Sequence, residues 1–328
     1  IGNLDKAEKF YKETIKLKPN CTHSMYEYGL VLNKLKKYSE AEQNYINSLN
    51  YTKDNAKIYF NLALNQYHLN KTLEAEKNYI IATELKPDYL IAYYNLAITQ
   101  KKLNKLEEAI KNNQKALEIK PDYIHAKHNL NLILRLKDLL KEIPEENLNK
   151  EIKLDPDPLI LSRSVEKELL DTLYDLKFPT IEKTIGGPLF GQGLTSNYQL
   201  FNYDIPIIKK LEQDLTRIVS EKLNSKIYIM DSFYNILKAG SGSKVHNHIG
   251  DFDENNNIDN RKYSLVYYLS VGNQYSSQPG ILRLYEPNKN ILPSNGMIIV
   301  WHAWRKHSSL YNGDKDRLMI GINFYTLK

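Results

Sequence analysis

The stretch VHNHIGD, residues 245–251, sets two histidines one residue apart. On an extended chain, residues i and i+2 point to the same face, so the imidazoles of His246 and His248 can reach one point. A pair makes a poor metal site, because non-haem iron takes at least three protein ligands on one face with open positions opposite. The candidate third ligand is His307, in WHAWRKHSS (301–309), far along the chain. Arg317 follows, at the start of DRLMIGINFY. Its planar fork can hold a carboxylate by two parallel hydrogen bonds. The chemistry open to such a set is metal-centred, with a carboxylate held nearby. Taken singly, each histidine also reads as a hydrogen-bonded polar residue on a half-buried strand. That is the reading adopted for His302, which is placed outside the site.

Strands must position these residues. Short β-branched and aromatic runs separated by turn residues occur at 226–237, 262–271, 280–287, 296–304 and 317–327. Runs of this length bounded by Gly, Pro and Asn predict an all-β sandwich or open barrel. The two histidines come directly after KAGSGSKV (238–245), read as a glycine-rich turn. A helix is predicted over 206–223, where Ile207, Leu211, Leu215 and Val219 recur at helical spacing. Pro206 suits its first turn.

The first part of the chain has a different texture. Ala7, Ala41, Ala75 and Ala109 recur at a constant interval of 34 residues. Gly29, Ala63 and Ala97 form a second column, Leu35, Leu69 and Leu103 a third, and Tyr11, Tyr45 and Tyr79 a fourth. Pro19, Pro87 and Pro121 close units. This pattern resembles the tetratricopeptide repeat, with full repeats at 21–54, 55–88 and 89–122. Residues 2–19 read as the second helix of a preceding unit, and 123–142 as a further first helix running on as a cap. The expected architecture is a solenoid in which each unit buries its apolar face against its neighbours. Such arrays bind peptides or proteins in a groove, and Asn61, Asn95 and Asn129, with Glu27 in the first unit, form a column that could clamp a peptide backbone. The other reading of that column is an Asn-rich composition. His23, His68, His125 and His128 share no metal-like spacing.

The periodicity fades near residue 140, and three prolines and several acids in 141–161 read as a linker. The expected organisation is multidomain: an all-α repeat domain with capping helix at 1–142, a linker at 143–161, and a β domain at 162–328. The segment 162–205 is expected to supply loops at the mouth of the pocket.

From about 185 onward the chain resembles the double-stranded β-helix (jelly-roll, cupin-like) of the iron(II)- and 2-oxoglutarate-dependent dioxygenases, closest to the prolyl-hydroxylase-like members. The ordered series SFYNILKAGSGSKVHNH, SLVYYLSV, GILRLYEP, NGMIIVWHAWRKHSSL and DRLMIGINF carries the resemblance. It implies that His246 and His307 bind Fe(II), that Arg317 binds the distal carboxylate of 2-oxoglutarate, and that Tyr268, with Tyr234 in reserve, helps hold this co-substrate. Most of the family has a carboxylate two residues after the first histidine; here that position is His248. Some relatives carry His-x-His, and a three-histidine face can hold iron(II). The alternative is that Asp251 or Asp253 reaches back as the ligand. The resemblance implies a hydroxylase acting on a peptidyl or small-molecule substrate. The change from carboxylate to histidine keeps open a non-enzymatic adaptor with a degenerate cupin-like domain.

Composition bounds the partners. The 328-residue chain is 42% hydrophobic and 26% charged, ordinary for a soluble globular protein. No apolar run approaches a membrane span. The formal net charge of +6 is spread among interleaved acids and bases, without the clustered basic stripe that nucleic acid requires. Cys21 is the only cysteine and no secretory signal is visible, which together predict a cytoplasmic protein. The chain opens on Ile1, in mid-pattern, as expected of one lacking its natural start.

Overall fold

Small residues at regular intervals are contact points between paired helices. In the computed structural model, which describes residues 2–144, 155–176, 189–190, 194–196, 198–275 and 277–328, they lie on a run of such pairs. The helices are α1 (Gly2–Leu17), α2 (Thr22–Lys34), α3 (Tyr38–Leu49), α4 (Ala56–His68), α5 (Thr72–Leu85), α6 (Leu90–Lys102), α7 (Leu106–Ile119) and α8 (Ile124–Glu142). Gly29 on α2 shows why its column must be small: a Cβ there would lie 2.5 Å from the ring of Tyr45 on α3. The turn within each pair needs one left-handed residue, and Lys36, Asn70 and Asn104 supply it with φ of 60°, 58° and 58°. The chain divides into two units, Ile1–Asp138 and Leu139–Lys328.

A polar column ties successive pairs of the first unit together. Lys37 Nζ meets Glu8 at 2.7 Å, Lys71 meets Glu42 at 2.6 Å, and Lys105 meets Glu76 at 2.6 Å. Glu42 and Glu76 are buried and also accept from Gln66 and Gln100, at 3.3 and 3.4 Å. Reading the columns only for apolar and small residues misses this ladder, although it keeps the same interval.

The second unit is an antiparallel double-stranded β-helix. Its strands are β1 (Leu159–Ser162), β2 (Leu189–Phe190), β3 (Leu194–Thr195), β4 (Ile227–Leu237), β5 (Ser241–His246), β6 (Lys262–Ser270), β7 (Leu282–Leu284), β8 (Lys289–Ile291), β9 (Met297–His302), β10 (His307–Tyr311) and β11 (Arg317–Thr326). One sheet has the order β1-β9-β6-β11-β4-β3 and the other β2-β5-β10-β7-β8. Helices α9 (Lys167–Asp175) and α10 (Pro206–Leu223) cover the outer face of the six-stranded sheet. A short helix, α11 (Asp251–Asn255), follows the two histidines.

Period-two alternation sorts the side chains of the larger sheet. Leu265, Tyr267 and Leu269 of β6, with Ile298 and Val300 of β9, join α9 and α10 in the outer core. Val266, Tyr268, Ile299 and Trp301 point the other way and pack with Leu282, Leu284 and Ile291 of the second sheet. The site is built on this inner side.

Two expectations are corrected. Residues 159–161, read as linker, belong to β1, which pairs with β9 from Leu159↔Val300 to Ser162↔Met297. Four residues are too few to show a period, and sheet pairing supplies what the local sequence does not. Residues 241–245, read as turn, open β5, where a Cβ on Gly242 would lie 2.1 Å from the Ser309 carbonyl. That glycine serves close strand approach rather than a bend. Within the expected linker, residues 145–154 lie outside the described residues. Within 162–205, so do 177–188, 191–193 and 197.

Candidate metal centre

Antiparallel pairing of β5 with β10 sets His246 directly opposite His307. His248 lies just past the end of β5, where its backbone N–H donates to Ala303 O at 2.9 Å, in the turn between β9 and β10. Three imidazoles separated in sequence thus converge. One ligand atom from each lies within 4.8 Å of the others. Ring centroids are 4.2 Å apart for His246 and His307, and 5.0 Å for each of the other two pairs.

The electrostatics keep the rings neutral. Burial lowers the pKa of His246 below the usual imidazole range. Burial, reinforced by the positive charge that His307, His246 and Lys262 would place nearby, drives His248 well below it. Burial and then His246 push His307 down to about 3. Neutral imidazole is the form that ligates metals. His246 Nδ1 lies 2.8 Å from Lys244 O, and since a carbonyl only accepts, Nδ1 carries the hydrogen and Nε2 keeps its lone pair. Nδ1 of His307 is buried without a hydrogen-bond partner. The Nδ1 of His302 is open in the same way outside the trio, so the fit of a cation rests on the three converging rings and their neutral donor atoms. A cation held by three neutral nitrogens on one face fits these residues.

Arg317 opens β11 and is 1% exposed. Its guanidinium stacks over the Tyr311 ring, 4.5 Å from the centroid, and lies 5.8 Å from that of Tyr268. Among the described residues no carboxylate pairs with it, and burial lowers its pKa. A buried cation lacking an acidic partner calls for an anion from outside. Tyr268 is fully enclosed, with its hydroxyl pKa pushed up to about 12 by burial. It shares a cluster with Trp301, whose ring lies 5.0 Å from that of His307. The indole N–H of Trp301 is buried and unpartnered.

The remaining expected residues lie elsewhere. Tyr234 is a cross-strand partner of Ile320, as is Tyr267, so it faces the helix-covered side of the sheet, opposite to Tyr268. Its hydroxyl donates to Leu176 O at 3.3 Å. A one-residue difference in register removes it from a co-substrate role. Asp251 and Asp253 stand outside the histidine cluster. Asp253 is buried in a different network: Oδ2 accepts from Gly250 N at 2.8 Å and Lys262 Nζ at 2.9 Å, and Oδ1 accepts from Tyr325. His302 packs at a tilt against Tyr263, with 3.9 Å between ring centroids, and is not one of the converging trio.

The asparagine column is uneven. Asn61 and Asn95 are half-buried, and each donates its amide N–H to a carbonyl of its own helix, Lys57 O and Ile91 O, at 2.8 Å. Asn129 is buried and donates to Asn113 Oδ1 at 3.3 Å, which takes it out of the column. Sequence reasoning missed Trp301 and the Asp253–Lys262–Tyr325 knot. The only signal for Trp301 was its place in the strand that leads into His307.

Comparison with known proteins gives one family match in each unit. Residues 91–123 match the tetratricopeptide repeat, and residues 233–325 match the 2OG-Fe(II) oxygenase superfamily. No curated protein matches the chain. Among solved structures, MamA is 23% identical over 43% of this chain and 82% of its own, with a TM-score of 0.41. The first repeat domain of Spaghetti (RPAP3), solved with an HSP90 peptide, is 28% identical over 36% of this chain and 93% of its own, with a TM-score of 0.35. The Arabidopsis OM64 repeat domain is 23% identical over 34% and 93%, with a TM-score of 0.33.

Proposed function

We propose that this chain, which carries a tetratricopeptide repeat and a 2OG-Fe(II) oxygenase domain, is an iron(II)- and 2-oxoglutarate-dependent dioxygenase that hydroxylates a peptidyl or small-molecule substrate. The observation that carries the reading is the convergence of His246, His248 and His307 in a domain that also buries Arg317 without an acidic partner. Bound iron(II) supplies the dioxygen chemistry there, with 2-oxoglutarate as the co-substrate oxidised to succinate and carbon dioxide.

The protein's own part is to bind, orient and exclude water. His246, His248 and His307 present neutral nitrogens on one side, leaving the opposite side for exchangeable ligands. With histidine where a carboxylate is usual, this set of residues would leave a bound cation one unit more positive, which would favour an anionic chelating co-substrate. Arg317 takes the far carboxylate of that chelate and fixes its direction. The rings of Trp301, beside His307, and Tyr268, beside Arg317, exclude water from the site, and the Tyr268 hydroxyl is the further group that would help hold the co-substrate. The repeats are the part that would hold a protein or peptide partner, bringing its side chain within reach of the oxygenase domain by tethering.

The test is direct. Iron(II) and 2-oxoglutarate, added without oxygen, should give the visible charge-transfer band of the chelate. Arg317→Ala should lose 2-oxoglutarate binding and keep metal binding. No band, together with no succinate in air, would leave a scaffold whose β domain is structural.

A further inference from the structure

We infer that Gly280 is a positioning residue for Arg317, and that it sets the site's demand for a co-substrate with a distal carboxylate; the inference rests on the 2-oxoglutarate reading above. Every nitrogen of the guanidinium is held by backbone from the segment joining β6 to β7. Nε donates to Val271 O at 3.1 Å, Nη1 to Gly280 O at 2.6 Å and Nη2 to Pro279 O at 2.5 Å. The carbonyls fix the direction of the group without neutralising its charge. One hydrogen on each terminal nitrogen stays uncommitted. Each of these can donate to a carboxylate oxygen.

Gly280 is where backbone and guanidinium come closest. A Cβ there would lie 1.8 Å from Nη1, 2.3 Å from Cζ and 2.6 Å from Nη2. The end of a long side chain normally swings aside from such a contact. This one is pinned by three carbonyls and by the Tyr311 ring, so any side chain at 280 must break that hold. The φ of Gly280 is 79°, a further reason for glycine. Gly240 separates the two causes: its φ is 75°, yet a Cβ there meets nothing closer than Asn312 Oδ1 at 4.0 Å.

The experiment titrates 2-oxoglutarate and 2-oxobutyrate into the full chain loaded with Mn(II), without oxygen, by calorimetry. 2-Oxobutyrate keeps the keto-acid end and lacks the distal carboxylate. Gly280→Ala should weaken 2-oxoglutarate about tenfold or more while leaving Mn(II) and 2-oxobutyrate within about twofold. Gly240→Ala should change none of the three. In an Arg317→Lys background, where no Cζ or Nη atoms remain to be met, Gly280→Ala should cost less than about twofold. Undiminished 2-oxoglutarate binding by Gly280→Ala would overturn the inference, as would equal loss of both keto acids or an equal cost in both backgrounds. If the parent protein binds neither keto acid, the 2-oxoglutarate reading falls and this inference falls with it.

Discussion

His302 shows how a single buried ring acts on stability. It is 5% exposed and packs at a tilt against the Tyr263 ring, with 3.9 Å between centroids. Burial lowers its pKa to about 4, against smaller upward pulls from the Lys262 carbonyl and Asp155. The unfolded chain therefore takes up a proton near pH 6.5, which the folded chain refuses until about 4. The ring's contribution is complete above about 6.5 and is lost as pH falls through that window, by roughly 3 kcal/mol in all. His302→Phe keeps a ring packed against Tyr263 and removes the titration. Urea unfolding of variant and parent at pH 7 and pH 4.5 should show a markedly smaller acid loss in the variant. An identical loss would assign the effect to other groups. At this scale the sequence was partly legible. His-x-His and a distant histidine could be singled out because few residue types bind metals. Tyr234 and Tyr268 could not be told apart, since strand register decides which face a tyrosine takes.

Among elements, the clearest difference lies between the two ends of one repeat contact. Glu42 is buried, with a side chain 11% exposed, whereas the Lys71 side chain is 47% exposed. Removing the lysine leaves an acid that still accepts from Gln66 and can reach water, a loss of under about 1 kcal/mol by the measure of exposed ion pairs. Removing the acid strands the buried amide of Gln66 and should cost about 2 kcal/mol. Urea unfolding followed by helical signal should rank Glu42→Ala well below Lys71→Ala in stability. Equal costs would mean that the exposed charge pair, rather than the buried acceptor, holds the units together. The helices were legible because their apolar spacing repeats, and the long strands because they alternate. β1, β5 and β10 were not, being short and held by partners distant in sequence. β5 in particular begins in a serine- and glycine-rich run that reads locally as a turn.

The chain as a whole joins two units with different kinds of order. The repeat unit is built from contacts between neighbours in sequence, while the β unit closes through pairings such as His246 with His307. Asn61 and Asn95 belong to the first unit and the three histidines to the second, so the two activities proposed for this chain should separate under mutation. With the amide nitrogens of Asn61 and Asn95 bonded to their own helices, the oxygens are the groups left for a partner's N–H. The paired change Asn61→Ala and Asn95→Ala should then leave 2-oxoglutarate binding and substrate-free succinate release unaltered. With a protein substrate it should raise KM about tenfold and spare kcat, because tethering acts on effective concentration and not on the chemical step. Succinate release measured with and without that substrate checks both halves. A fall in the substrate-free rate would show that the repeats support the oxygenase unit structurally, and a lowered kcat at saturating substrate would show that they act on the chemistry rather than on delivery.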